Sequence, residues 1–237
     1  MKALLYGLGL LSLVNPAKAT WNFEIAPYLW ASGLEGTEQT GKHRFHVSKS
    51  FSELIKHLDL GAMLYVTAYQ NNFGLFFNGI YSKVSDNLNL DEFHIHTSST
   101  ISVDSAGLSY KIPLSQWTLE PYAGARYTFN GTKISINALH INKKYNWIDG
   151  ILGSRIIYKV NSSFNIEGSA DYGMGSHSNS YNLTALLGYQ SLKHFKNTRF
   201  YLGYRLLHQN YHTGSGRQYF LWKMNLYGPV AGFAYRC

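Results

Sequence analysis

Four arginines and four carboxylates carry the most chemical promise in this chain of 237 residues. Arg126, Arg155 and Arg205 each follow a glycine by two positions, in Gly124-Ala125-Arg126, Gly153-Ser154-Arg155 and Gly203-Tyr204-Arg205, and Arg199 shares the parity of Arg205. Glu120, Asp149, Glu167 and Asp171 lie in the same or neighbouring alternating segments. On strands closed into a narrow tube, glycine gives room on a crowded inner wall, and the arginines project into the lumen to face the acids. Charges held there must pair or line water. The eight residues are therefore either an electrostatic plug that fixes strand register or the lining of a narrow pore.

Other groups offer weaker chemistry. The pairs His43-x-x-His46 and His94-x-His96 could ligate zinc or copper if loops converge. No cysteine or defined carboxylate accompanies them, so solvated loop histidines are the simpler reading and no metal site is assigned. In Gly175-Ser176-His177-Ser178-Asn179 a serine neighbours a histidine, which invites a lipid-modifying hydrolase as an alternative function. A triad needs serine, base and orienting acid to meet in space. Adjacent residues on a strand point to opposite faces, and the sequence places no acid beside them. No catalytic residue is assigned and no cofactor is implied.

The elements that must position these groups are strands. From Gln116 to Phe129 the odd positions read Trp117, Leu119, Pro121, Ala123, Ala125, Tyr127 and Phe129, while the even ones include Glu120, Arg126 and three threonine or tyrosine residues. Side chains on a strand have period two, so one face meets hydrocarbon while the other carries charge, as in a transmembrane β-barrel. From Trp117 to Tyr127, ~3.3 Å per residue at ~45° tilt gives roughly 23 Å along the membrane normal, close to the ~25 Å apolar band between aromatic girdles. The same two-faced pattern recurs in 163–174, 180–190 and 198–210.

Ten strands are expected, near 21–32, 60–70, 73–84, 98–112, 116–130, 145–160, 163–174, 180–190, 198–210 and 217–235, with eight or twelve as alternatives. Connections alternate between short ones, at 70–72, 113–115, 161–162 and 191–197, and mostly longer ones, at 33–59, 85–97, 131–144 and 211–216. Short periplasmic turns and long external loops are the habit of outer-membrane barrels, and an even count returns both termini to the periplasm. Of the ten histidines, only His194 falls on the short-turn side. Ser50 to Leu58 breaks the strand pattern and predicts a short amphipathic helix in the first external loop, with Ser50 and Glu53 in capping-box spacing. A β-sandwich or lipocalin-like barrel would instead turn its apolar face inward.

Lys2, the apolar run Ala3 to Val14 and Ala17-Lys18-Ala19 read as a signal peptide over 1–19, leaving the barrel as 20–237. No later stretch has the ~20 uninterrupted apolar residues of a membrane helix. Losing Lys2 and Lys18 lowers the charge from +8 to +6, which favours anionic lipopolysaccharide or anion passage without separating the two. One cysteine, Cys237, excludes an internal disulfide. Nineteen tyrosines and thirteen phenylalanines against five prolines suit strands with aromatic belts.

Trp21 with Pro27-Tyr28-Leu29-Trp30 and Gly33-Leu34-Glu35-Gly36 resembles the opening of a poorly characterised family of Gram-negative outer-membrane β-barrel proteins. The resemblance continues through Pro121 to Tyr127, Trp147-Ile148-Asp149-Gly150 with Gly153-Ser154-Arg155, Gly203-Tyr204-Arg205 and Gly228-Pro229-Val230-Ala231-Gly232. It implies a barrel fold and an outer-membrane location, with no activity to carry to particular residues. Two departures stand out: Arg236 and Cys237 follow Tyr235 where the family tends to end on an aromatic residue, and Gly150 replaces its usual proline. The expectation is an integral, non-enzymatic outer-membrane barrel, structural or a narrow pore with weak anion preference. Its surroundings would be outer-membrane lipid and lipopolysaccharide, its partner in biogenesis the barrel assembly machinery, and nucleic acid is not expected as a partner.

Overall fold

The computed structural model describes residues 20–90, 93–136, 139–190 and 196–237; the segment 1–19 read as a signal peptide and His194 lie outside the described residues, as do the side chains of His94 and His140. The strands β1 (Asn22–Trp30), β2 (Gly33–Thr40) and β3 (His43–Lys49) precede the helix α1 (Phe51–Lys56). They are followed by β4 (Leu58–Gln70), β5 (Phe73–Leu90), β6 (Phe93–Tyr110), β7 (Ile112–Leu114), β8 (Trp117–Ile136), β9 (Leu139–Lys159), β10 (Phe164–Met174), β11 (Ser178–Gln190), β12 (Thr198–Thr213) and β13 (Phe220–Arg236).

Pairing runs β1-β4-β5-β6-β8-β9-β10-β11-β12-β13, all antiparallel, and β13 returns to β1 to close the ring. The wall therefore has ten strands. β2 continues β1 along β13, β3 folds back on β2 alone, and β7 pairs three residues of β8. The break between β1 and β2 has a local cause. Pro229 of β13 accepts from Ala31 N–H at 2.9 Å but has no N–H to return, so the ladder lapses there without a change of register. Closure pairs the main-chain groups around the ring, which is what lets strands cross lipid at all.

The first and last described residues and the turns at 71–72, 115–116 and 160–163 share one end, the near end, where Asn71 and Ser115 take left-handed φ values of 54° and 53°. The ten segments expected from the sequence are the ten wall strands. Their far ends differ: 85–97 and 131–144, expected as loops, are largely strand, and 33–59 contributes β2, β3 and α1. β8 and β9 have 20 and 21 residues. At ~3.3 Å per residue and ~40° tilt, such strands rise about 50 Å, twice the ~25 Å apolar band. The extra length leaves the lipid, where an apolar outer face is no longer required, and so lacks the signal that marks the membrane segment. β10 and β11, with 11 and 13 residues, stop lower, so the far rim slants.

The exterior of the near half is an apolar band that includes Leu152, Leu183 and Leu202. Trp117 against Tyr158 (4.4 Å) and Phe164 against Tyr189 (5.0 Å) mark its near girdle, and Tyr127 with the register pair Tyr172 and Tyr181 its far one. The helix α1 lies in the first far-end connection and has the expected capping box. Ser50 Oγ accepts from Glu53 N–H at 3.3 Å, and Glu53 Oε2 accepts from Ser50 N–H at 2.7 Å.

Candidate functional site

Inside the near half is a cavity of about 450 Å³. Its lining starts at Asn22, Asn71 and Arg236 at the near rim and ends at Arg126 and Arg205 beneath Trp30. Strand parity builds it, since every inward residue of a membrane segment is released from the demand to be apolar. Glycine makes room where side chains converge: a Cβ on Gly153 would come within 2.5 Å of the Asp171 side chain and 2.7 Å of the Tyr122 ring.

The eight charged residues singled out from the sequence have inward parity on β8 to β12, but they do not pair one to one. Arg126 donates to Asp171 Oδ1 at 2.6 Å, to Ser180 Oγ at 3.0 Å and to Ser105 Oγ at 3.3 Å, with both ion-pair members buried. Arg155 reaches Glu120 Oε2 at 3.5 Å and donates a short bond to the Tyr65 hydroxyl. Glu120 also accepts from Tyr69 at 2.6 Å. Asp171 gains two further donors, Tyr122 and Asn182, both at 3.0 Å.

The other four bond to neutral partners among the described residues. Arg205 donates to Asn182 Oδ1 at 2.7 Å and to the Tyr28 hydroxyl at 3.0 Å, and lies 4.9 Å from the centre of the Trp30 ring. Arg199 donates to Gln190 Oε1 at 3.2 Å and to Tyr201 at 3.3 Å. Glu167 accepts from Asn165 at 2.7 Å. Asp149, fully buried above the cavity, accepts from Ser180 at 2.7 Å and, at a shorter distance, from Ser178.

The far half is filled by different chemistry. Trp30, Ile80, Val103, Trp147, Leu207, Phe220, Trp222, Met224, Leu226 and Val230 form one buried cluster across the lumen. Tyr145 stacks on Phe220 at 3.5 Å and Trp147 on Tyr211 at 4.4 Å, each pair within 7° of parallel. Leu207 and Met224 have no exposed surface, so no water-filled passage runs past them. Gln209 spans the same level, donating to Thr128 Oγ1 at 2.7 Å. The indole N–H groups of Trp147 and Trp222 have no hydrogen-bond partner among the described residues, so dispersion holds both, with the Tyr211 stack added at Trp147.

Sequence reasoning missed this aromatic cluster and the tyrosines of the cavity, although a signal existed. On β13 the inward positions Phe220, Trp222, Met224 and Leu226 are large and apolar while the outward Lys223 is exposed, so the phase of β13 continues while its outward face turns from apolar to polar. The sequence also left Lys111 aside. It sits between β6 and β7 at the near rim, with Nζ 3.1 Å from the centre of the Tyr69 ring.

Ser178 points inward to Asp149, whereas its neighbour His177 is exposed, 3.3 Å from Ser176 Oγ and with its ring 5.7 Å from that of His212. The serine and histidine therefore do not meet. His43, His46, His57 and His96 are exposed towards the far end, and His57 lies 3.5 Å from Asp86. No three His, Cys, Asp or Glu side chains converge to hold a metal among the described residues.

No protein-family model and no curated protein sequence matches the chain. Solved structures match it in shape. The outer membrane protease OmpT from Escherichia coli superposes with a TM-score of 0.60 at 9% identity, over 93% of this chain and 98% of that one. The transport unit of the autotransporter AIDA-I from Escherichia coli gives 0.44 at 11% identity over 97% and 94% of the two chains. Ail of Yersinia pestis gives 0.40 at 10% identity over 92% and 98%. At this identity the likeness to OmpT is one of fold alone, that of a Gram-negative outer-membrane β-barrel.

Proposed function

We propose that the protein is an integral outer-membrane barrel that serves a structural, non-conducting role, with its near end in the periplasm and its far end outside the cell. The observation that carries this reading is the aromatic cluster across the far half of the lumen, which fills the tube where an open pore needs water. Below it, the Arg126–Asp171 pair and its hydroxyl partners tie β6, β8, β10 and β11 together across the lumen. Such a network fixes register at several strands at once. The separation of Ser178 from His177 favours a non-enzymatic barrel over a lipid-modifying hydrolase.

Membrane fractionation and heat-modifiable gel mobility test the location; recovery as a soluble periplasmic protein overturns it. Planar-bilayer recording tests the closed lumen. Wild-type protein is expected to show no steady conductance, whereas the variant Trp147→Ala with Phe220→Ala, which removes one ring from each stacked pair, should open a narrow channel. Because the cavity below carries more cations than carboxylates, that channel should prefer anions weakly, and the preference should fall as salt screens the exposed charges. Steady wild-type conductance, or strong cation selectivity in the opened variant, refutes the reading.

A further inference from the structure

We propose that the near-half cavity is a binding site for a small organic oxyanion, a carboxylate or phosphate ester carrying an apolar or aromatic body, which enters from the periplasmic end. The entry side rests on the orientation proposed above; the site itself does not.

The charge balance of the cavity points to an anion. Six cationic side chains line it, the arginines 126, 155, 199, 205 and 236 together with Lys111, against the four carboxylates of Glu24, Glu120, Glu167 and Asp171. Three of the cations are spent on ion pairs: Arg126 with Asp171, Arg155 with Glu120, and Arg236 with Glu24 at 3.2 Å. Lys111, Arg199 and Arg205 have no carboxylate within ion-pair distance among the described residues, and Glu167 is the only lining carboxylate in the same position. An excess of two positive charges thus faces one enclosed volume. Arg205 is the telling member, because it is only 5% exposed and its partners are an amide, a phenol and an indole face. A buried guanidinium without a counter-charge is costly unless an anion or water meets it.

The placement suits capture followed by seating. Lys111 lies at the near rim and Arg199 is the second residue of β12, while Arg205 lies six residues further along the same strand at the cavity floor. An anion is thus drawn in at the mouth and held by a guanidinium at the base, where fewer waters compete. Phenol and phenyl rings fill the wall between them, among them Tyr28, Tyr122, Tyr201 and Phe76, two of which meet edge to face at 5.4 Å, Phe76 and Tyr122. Aromatic rings interleaved with convergent charged groups around a volume of about 450 Å³ give a cavity of the size of a small-ligand site.

Calorimetric titration of the refolded full chain in a neutral detergent tests this with phenyl phosphate, benzoate, inorganic phosphate and benzylammonium. Phenyl phosphate and benzoate should bind, inorganic phosphate more weakly, and benzylammonium not at all. Lys111→Gln and Arg199→Gln, at the mouth and away from the buried pairs, should each weaken phenyl phosphate about tenfold. Glu167→Gln should tighten it severalfold, a gain that damaged folding cannot mimic. Displacement by phosphatidylglycerol doped into the micelle assigns the oxyanion to a lipid headgroup, and indifference to it assigns a periplasmic solute. Binding of benzylammonium as tight as that of phenyl phosphate, or affinity unmoved by all three substitutions, overturns the proposal. Micelle binding does not depend on conductance, so a conducting wild-type barrel that still binds phenyl phosphate would refute the closed lumen and leave this site standing.

Discussion

The two halves of this barrel are built by the same strands with the same period, yet they are inside-out relative to one another. In the near half the outer face is apolar and the lumen holds charge, as with Leu202 outside and Arg205 inside on β12. In the far half the outer face carries Lys223 and His212, and the lumen holds Phe220, Trp222 and Met224. The backbone sets only the alternation; the solvent on the outside decides which face is greasy. Where lipid surrounds the wall, polar groups must turn inward and satisfy one another. Where water surrounds it, the hydrophobic effect fills the tube instead.

If that contrast is right, the two fillings should fail differently. Arg126→Met leaves Asp171 buried without its cation and should cost about 3–5 kcal/mol in denaturant unfolding from lipid vesicles. Arg126→Lys should recover little, since one ammonium cannot reproduce the three bonds that the guanidinium makes to Ser105, Ser180 and Asp171. In the far half, Trp147→Ala should cost a similar ~3–5 kcal/mol through the cavity it leaves, but Trp147→Phe should restore most of the loss because only apolar volume is required. Equal rescue by both conservative variants would erase the distinction.

The near half was legible from sequence because lipid imposes a two-sided code. Glu120 and Arg126 stand against Trp117 and Tyr127 in one segment, an opposition that a wall with lipid on one side and a polar lumen on the other demands. The inward phase of all eight charged residues follows from it, and so does the strand count. Which charges pair was not legible, because pairing depends on the stagger between strands: Arg126 is directly across from Asp149 in the β8–β9 register yet bonds Asp171 two strands away. The far half was hidden for another reason. Thr, Ser and Asn alternate with apolar residues there in the manner of any water-facing strand, and 85–97 and 131–144 read as loops once no apolar outer face is demanded. Trp147, placed in a family motif, gave no hint that it stacks on Tyr211, 64 positions later at the start of the segment 211–216 read as a loop.

A second test moves charge to the outside of each half. Leu202 faces outward within the apolar band and is 62% exposed on the isolated chain, so Leu202→Arg puts a guanidinium into lipid and should cost about 2–4 kcal/mol. Leu221 also faces outward, on β13 beside Lys223 and opposite His212, but beyond the band. Leu221→Arg should change stability by no more than about 0.5 kcal/mol. Unfolding in vesicles of each variant measures the difference directly. A large cost at Leu221 would place the membrane boundary higher than the far girdle of Tyr127, Tyr172 and Tyr181.

The smallest effect concerns α1, a short α-helix on the water side of this contrast. Hydrogen bonds from the Ser50 main-chain N–H and hydroxyl hold the Glu53 carboxyl below the ordinary glutamate range. A carboxylate whose folded pKa is depressed stabilises the fold above its unfolded pKa, and that contribution is lost as pH falls through the lowered folded value. Acidification should therefore loosen α1 at the N-cap, and because Glu53 is exposed, added salt should weaken its attraction to Lys49, 4.0 Å away. Hydrogen exchange at 51–56 is expected to accelerate on the acid side of the ordinary glutamate pKa, after correction for intrinsic rates, while β8 and β9 stay protected. Ser50→Ala and Glu53→Gln should both flatten that dependence, and neither should alter protection in the barrel wall. If loosening of α1 carried the wall strands with it, the far half would not be an independent water-side structure, and the division of the barrel into two differently solvated halves would fail at its simplest point.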